Sequence, residues 1–235
     1  MIKDSSFYDT ESETYSDKRY PKQPSSYNQF FFIKRLSFVL CMLRASLLGK
    51  TGLLLLEIGC ADGIVIEKIY EKFSGAFSSI IGIDTSLEMI AVASKRYQGR
   101  PFVFKNRADF SDTSLKDVII EVGVINYADL SEELDFASSR LKENGVYVIS
   151  LAGTSSLWNR IKKGDKGFRN FLSYSEYEKE INKKFDIVAT KSVGFFIPLI
   201  WKIPALARII QPSEMILRKI VPNLFHEKIY LLKKK

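Results

Sequence analysis

Disulfide and metal chemistry have almost nothing to work with in this sequence. Its 235 residues include two cysteines, Cys41 and Cys60, and one histidine, His226. Two cysteines make no disulfide framework, and without a CxxC pair or a Cys/His cluster a zinc site is not expected. A reducing cytoplasm suits such cysteine usage. Long hydrophobic runs are missing too. The most apolar stretches, FFFIKRLSFVLCMLRASLL (30–48) and FFIPLIWKIPALARII (195–210), are broken by Lys34, Arg35 and Arg44, and by two prolines, Lys202 and Arg208. A spanning helix needs about 20 apolar residues with few charges. The opening MIKDSSFYDTESETYSDKRY lacks the apolar segment of a signal peptide. Acids are outnumbered, 27 Asp and Glu against 35 Lys and Arg, for a formal net charge of +8. That balance suits anionic lipid headgroups, phosphorylated substrates or nucleic acid, and equally a plain lysine-rich surface.

What is present is a full core, with 46% apolar residues in a length that suits one domain. Residues 1–26 read as an irregular polar arm. Residues 28–48 read as an apolar helix stopped by Gly49. LLLLEI (53–58), SIIGID (79–84), FVFKN (102–106), DVIIEV (117–122) and VYVISL (146–151) read as short buried strands. Helical spacing fills the gaps at GIVIEKIYEKF, SLEMIAVASKRY (86–97, capped by Ser86) and SEELDFASSRL (131–141), with Asn144-Gly145 turning into the fifth strand. Strands alternating with helices imply a parallel sheet covered on both faces. A helix at 173–185, a strand at DIVATKSVGF, an apolar proline-broken insert and a last strand, EKIYLLKK, complete the chain.

The stretch LLLLEIGCADG places an acid, Glu57, and two glycines, Gly59 and Gly63, between the first strand and its helix. In an open parallel sheet ligands bind beyond the carboxyl ends of the strands, where a bare turn and a helix start can hold an anion or a carboxylate. The second strand ends at Asp84, where a carboxylate can accept both hydroxyls of a ribose. A dinucleotide fingerprint starting at Gly59 would need glycine at 61 and 64; the chain has Ala61 and Ile64.

LLEIGCADG, IGIDTSLEMIAVA, NRADF and DVIIEVGVINY, in this order and spacing, resemble the class I S-adenosylmethionine-dependent methyltransferases, and within them the small-molecule and lipid branch related to methyltransferase type 11. The resemblance covers residues 53–151 well and 170–235 in outline. It implies an α/β fold: a three-layer Rossmann-like, seven-stranded, mostly parallel sheet with an antiparallel last strand. An arm and cap helix (1–50) would precede a methyltransferase domain (51–235) carrying an apolar lid insert at about 195–224. It implies S-adenosyl-L-methionine as cofactor, with Glu57, Gly59, Cys60, Ala61 and Gly63 along its methionine part. Asp84 would hold its ribose, with Thr85 and Met89 beside the adenine. Asp109 would accept from the adenine amino group, with Phe110 near the ring, Glu121 near the sulfonium and Tyr15 closing over the site with Arg19.

Relatives often carry a histidine in the loop after strand four; here GVINYADL puts Asn126 there. Asn126, Tyr127 and His226 are therefore the catalytic candidates. The acceptor would be covered by the arm, by the 152–172 segment with Arg160, Lys162, Lys163, Lys166, Arg169, Trp158, Phe168 and Phe171, and by the insert with Trp201. These covers favour methyl transfer to an O or N of a small amphiphilic or lipid-linked acceptor by a cytoplasmic protein, with peripheral contact to an anionic membrane surface. Two other readings compete. One is an RNA methyltransferase, weakened by the lack of a [DN]PP[YFW] signature. The other is a catalytically silent partner that binds the cofactor.

Overall fold

The computed structural model describes residues 11–162, 167–197 and 204–235. A 3-10 turn, Ser12–Thr14, leads into α1 (Tyr15–Arg19), followed by α2 (Tyr27–Leu47), β1 (Leu53–Ile58), α3 (Ile64–Lys72), β2 (Phe77–Asp84), α4 (Leu87–Arg96) and β3 (Phe102–Asn106). Then come β4 (Lys116–Glu121), α5 (Leu130–Arg140), β5 (Leu141–Ala152), α6 (Leu157–Lys162), α7 (Tyr174–Ile181), β6 (Phe185–Val193), α8 (Pro204–Ile220) and β7 (Glu227–Lys234). Trp201 and Lys202, and Lys163 and Lys166 of the basic segment, lie outside the described residues.

The seven strands form one sheet in the order β3-β2-β1-β4-β5-β7-β6. Strands β1 to β5 pair in parallel, and β7 runs antiparallel between β5 and β6. Alternate residues of the central strands feed two cores. Leu55, Val118, Ile120 and Val148 pack under α2 and α3. Leu56, Ile119, Tyr147 and Ile149 pack with residues of α5 and α7, among them Leu134 and Tyr177. Both faces are covered, so β1 is apolar almost throughout and β4 is apolar at its centre, Val118–Ile120, as a parallel sheet requires.

Helix α2 is set by its own sequence. Ser26 and Gln29 form a reciprocal capping box, and the buried residues Tyr27, Phe31, Arg35, Val39, Met42, Leu43 and Leu47 recur every three or four positions. One member of that stripe is an arginine, so the helix buries a charge. Among the described residues, no helix is long and apolar enough to cross a membrane.

The structure corrects four expectations. The arm from residue 11 is folded, with Ser12 and Ser16 buried, because a distant acid receives it. Strand β5 begins at Leu141, and Asn144-Gly145 lies within a bulge: pairing with β4 jumps from Lys116–Leu141 to Val118–Val146. Helix α7 stops at Ile181, where the chain turns back into β6. The described part of the insert is regular, with α8 running through Pro212.

Candidate functional site

Between β1 and α3 the chain makes three left-handed steps, at Gly59 (φ +69°), Ala61 (φ +47°) and Gly63 (φ +81°). Glycine is needed here because the fold closes in on the turn. A Cβ on Gly59 would lie 2.2 Å from Val124 Cγ2, and one on Gly63 would lie 2.8 Å from the rings of Tyr97 and Phe104. The sequence suggested that the bare backbone makes room for a ligand; at these two points this chain's own side chains take the room. The Gly59 and Cys60 amides donate to the Ile83 carbonyl at 2.7 and 3.0 Å, tying the turn to the tip of β2.

At that tip Asp84 is half-buried, and its carboxylate organises both turns. Oδ2 accepts from the Ala61 amide and Oδ1 from the Ser86 amide, each at 2.9 Å. Ser86 is buried and caps α4 through Met89 N, which places Met89 in the core behind the turn. Thr85 is exposed; its carbonyl accepts from Asn106 Nδ2 at 3.1 Å.

Two more carboxylates face the same turn from inside. Glu57 is buried; burial, then Asp84 and Asp62, push its carboxyl well above the ordinary carboxylate range, and its Oε2 meets no hydrogen-bond donor among the described residues. Asp62 is fully buried and accepts from Ser16 of the arm and from Arg96 of α4. Cys60 lies buried among these acids, which together with burial raise its thiol. The three acids create a field suited to a cation, and the orphaned Glu57 oxygen is suited to a donor from a ligand. Asp62 was not singled out from the sequence. A polar residue between two turn glycines looks like a solvated one, and only its distant partners reveal it.

A second feature lies at the ends of β4 and β5. A cavity of about 440 Å³ is lined by aromatic rings from several elements, Tyr15, Phe31, Phe32, Tyr127, Trp158, Phe168 and Phe196, together with His226. Lys18, Arg19 and Arg35 are its cations, and Glu11 and Glu227 its acids. Arg19 lies over the Tyr15 ring at 3.9 Å and pairs with Glu11 at 2.9 Å. The basic 152–172 segment contributes its rings to the cavity, whereas Arg160 and Arg169 are exposed elsewhere.

The floor is a buried polar chain. Arg35 pairs with Glu227 at 3.3 Å, Glu227 accepts from the Ser150 hydroxyl, and Ser150 Oγ accepts from the Gly123 amide at 2.8 Å. A Cβ on Gly123 (φ +78°) would lie 2.6 Å from Arg35 Nη1, so glycine lets the guanidinium approach. Burial works against the charge of Arg35, but Glu227 holds it above the ordinary guanidinium value. Sequence reasoning missed this pair. Its signal is an arginine at a buried stripe position of α2.

Tyr127 and His226 line the cavity, as does Tyr15. Tyr127 packs on Phe168 with centroids 5.1 Å apart, and the His226 ring meets Phe31 and Phe196 edge-on at 5.6 and 5.3 Å. Asn126 lines the cavity as well. Its amide donates to the Ala152 carbonyl (3.0 Å) and the Tyr177 hydroxyl (2.9 Å), and its Oδ1 accepts from the Ala152 amide (2.9 Å). It pins the β5 end to the β4 loop.

Three other candidates lie outside the cavity lining. Asp109 is exposed in a 3-10 turn. Phe110 packs on the α5 side of the sheet, near Phe136 and under the Arg140 guanidinium. Glu121 is fully buried on that same side and accepts from the Tyr147 hydroxyl; burial and then Glu133 push it up to about 8.

Residues 56–147 match the family model described as a methyltransferase domain. Over 65 residues the chain is 37% identical to trans-aconitate 2-methyltransferase of Acidovorax sp. (strain JS42). That alignment covers 28% of this chain and 24% of the relative, so the chain matches about a quarter of the relative's length. The structure superposes on the N-methyltransferase NodS of Bradyrhizobium japonicum WM9, solved with S-adenosyl-L-homocysteine, with a TM-score of 0.65 and 16% identity over 98% of this chain and 97% of that one. It also superposes on magnesium protoporphyrin IX methyltransferase of Synechocystis PCC 6803, solved with bound SAH, with a TM-score of 0.64 and 14% identity over 99% and 100%.

Proposed function

We propose that this chain, which has the fold of the class I methyltransferases and a methyltransferase domain over residues 56–147, transfers a methyl group from S-adenosylmethionine to an O or N of a small amphiphilic acceptor held in the aromatic cavity. The observation that carries this is the position of that cavity: Gly123, Tyr127 and Ala152 place it at the carboxyl ends of β4 and β5, on the edge of the sheet that also bears the Glu57–Asp84 turn.

Glu57, the Gly59–Gly63 turn and Asp84 would hold the cofactor, which supplies an electrophilic methyl group. The three carboxylates favour its positive charge, and the orphaned Glu57 oxygen supports the fit. The rest falls to alignment and exclusion of water. Rings from α2, α6 and the segments after β4 and β6 give an acceptor flat apolar walls, while an anionic end would compete with Glu11 for Arg19 and Lys18. Tyr127 and His226 are the lining groups able to receive or direct a proton from a hydroxyl or amine acceptor.

A ring-bearing or lipid-linked acceptor suits such walls, and one met at an anionic membrane surface suits the basic chain. The domain match and the bound SAH of the two solved neighbours support the cofactor assignment. A nucleic-acid acceptor is the poorer fit, since among the described residues three cations line the cavity and each is paired with an acid, Lys18 and Arg19 with Glu11 and Arg35 with Glu227. The test is incubation with methyl-labelled cofactor and whole-cell extract, followed by fractionation. Label in the lipid or small-molecule fraction is expected; label only in RNA, or in nothing despite cofactor binding, would overturn the reading.

A further inference from the structure

Among the described side chains of helix α8, from Pro212 on, an apolar stripe turns outward. Pro212, Met215, Ile216, Lys219 and Ile220 follow the spacing of one helix face. That face is the solvent side: Met215, Ile216 and Ile220 are 67%, 59% and 70% exposed, and Pro212 and Lys219 are exposed with them. The inner side instead carries charged groups. Buried Glu214 accepts from the Tyr27 hydroxyl and, at 3.2 Å, from the Phe195 amide. Arg218 donates to the Ser192 carbonyl at 2.6 Å and pairs with Glu214 at 3.0 Å. The helix is thus fastened through polar contacts on one side and shows water an aliphatic stripe on the other, the reverse of a helix that only covers a core.

Beside the stripe runs a groove of about 470 Å³ formed by α8 and the edge strand β6. Lys191, Arg218, Lys219 and Lys228 line it, with Glu178 as the one acid in the lining. Lys228 is paired with Glu178 and Arg218 with Glu214, whereas Lys191 and Lys219 form no ion pair among the described residues. In the β6–β7 ladder Ser192 lies opposite Lys228, and both line the groove.

From an aliphatic stripe flanked by lysines that form no ion pair among the described residues, we infer that this face docks on an anionic lipid surface. Met215, Ile216 and Ile220 enter the interface, while Lys191 and Lys219 sit at the headgroup phosphates. A second copy of the chain fits less well, because a two-fold contact would set these lysines against their own equivalents. The inference rests on the amphiphilic acceptor proposed above, and it brings the chain to the surface where such a molecule would be met.

The test is cosedimentation of the full chain with phosphatidylcholine vesicles, with and without phosphatidylglycerol, at low and high salt. Binding should require phosphatidylglycerol and fall with salt. Lys191→Gln and Lys219→Gln should each lower the partition coefficient about fivefold. Met215→Ser with Ile216→Ser should lower it about tenfold or more, with unchanged thermal melting. A chain that stays in the supernatant at low salt overturns the inference. So does binding that survives the stripe variants, or a stripe-dependent dimer in ultracentrifugation without vesicle binding. Calorimetry of the same protein with S-adenosylhomocysteine keeps the two proposals apart. Vesicle binding without ligand binding supports the docking face and overturns the proposed reaction; the opposite result overturns only the docking face.

Discussion

Ser16 and Asp62, 46 residues apart, meet in one buried junction: the Ser16 amide donates to Asp62 Oδ2 at 3.2 Å and its hydroxyl donates to the same oxygen. Arg96 of α4 donates there as well. The junction fastens the arm, which carries Tyr15, Lys18 and Arg19 to the cavity, onto the turn that carries Glu57 and Gly59. The cavity wall and the turn after β1 are therefore mechanically linked through one carboxylate.

Asp62→Ala should free the arm. Arg96 is partly exposed, so water screens much of its loss; about 2 kcal/mol of stability is expected from the stranded donors. Ser16→Ala should lose about 1 kcal/mol in the same direction. Thermal melting measures both, and tryptic cleavage after Lys18 or Arg19 should speed up ahead of global unfolding. An arm cut no faster than in the wild type would contradict the junction.

Gly59→Ala should be among the most damaging single substitutions. It forces a left-handed φ on a residue with a side chain and drives Cβ into Val124. The expected loss is about 3 kcal/mol. Val124→Ala should rescue the steric part and leave the backbone part, so the double mutant should be more stable than Gly59→Ala alone. Strict additivity in denaturant unfolding would show that the contact is not the cause.

Glu121 ties stability to pH. Its folded carboxyl is pushed up to about 8, against about 4.3 unfolded, so between those values the folded protein holds a proton that the unfolded chain has released. Its contribution is full in acid and is lost as pH rises towards 8. Glu121→Gln keeps an acceptor for the Tyr147 hydroxyl and removes the titration. The variant should gain on the wild type in melting temperature from pH 5 to pH 8.5; a constant gap would refute the linkage.

Asp84→Ala should weaken S-adenosylhomocysteine binding at least tenfold, about 1.4 kcal/mol, because the Ala61 and Ser86 amides lose their acceptor as the ribose would. Asp84→Asn retains one acceptor oxygen and should fall between. Unchanged affinity in calorimetry would remove Asp84 from the cofactor site.

Much of the fold was legible because it is written in near neighbours. The run LLLLEI, Ser86 before its helix and the stripe of α2 each state their structure within a few residues. Errors fell where distant groups decide. The arm looked irregular because its partner Asp62 lies in another element, and the Asn144-Gly145 turn became a bulge because β4 dictates the pairing. The partners of Asn126, Ala152 and Tyr177, likewise come from distant segments and could not be read beside it.

By itself the sequence determined the order of strands and helices, the left-handed turn after β1 and the acid at the tip of β2, because spacing, glycine and strand ends act over a few bonds. The tertiary structure alone decided that Arg35 would meet Glu227 across 192 residues, that rings from separate segments of the chain would wall one cavity, and that Met215, Ile216 and Ile220 of α8 would face outward. Such outcomes depend on which buried charges find partners once the chain has closed. An unpaired charge is costly enough in the interior to choose the arrangement, yet its partner leaves no mark beside it in the sequence.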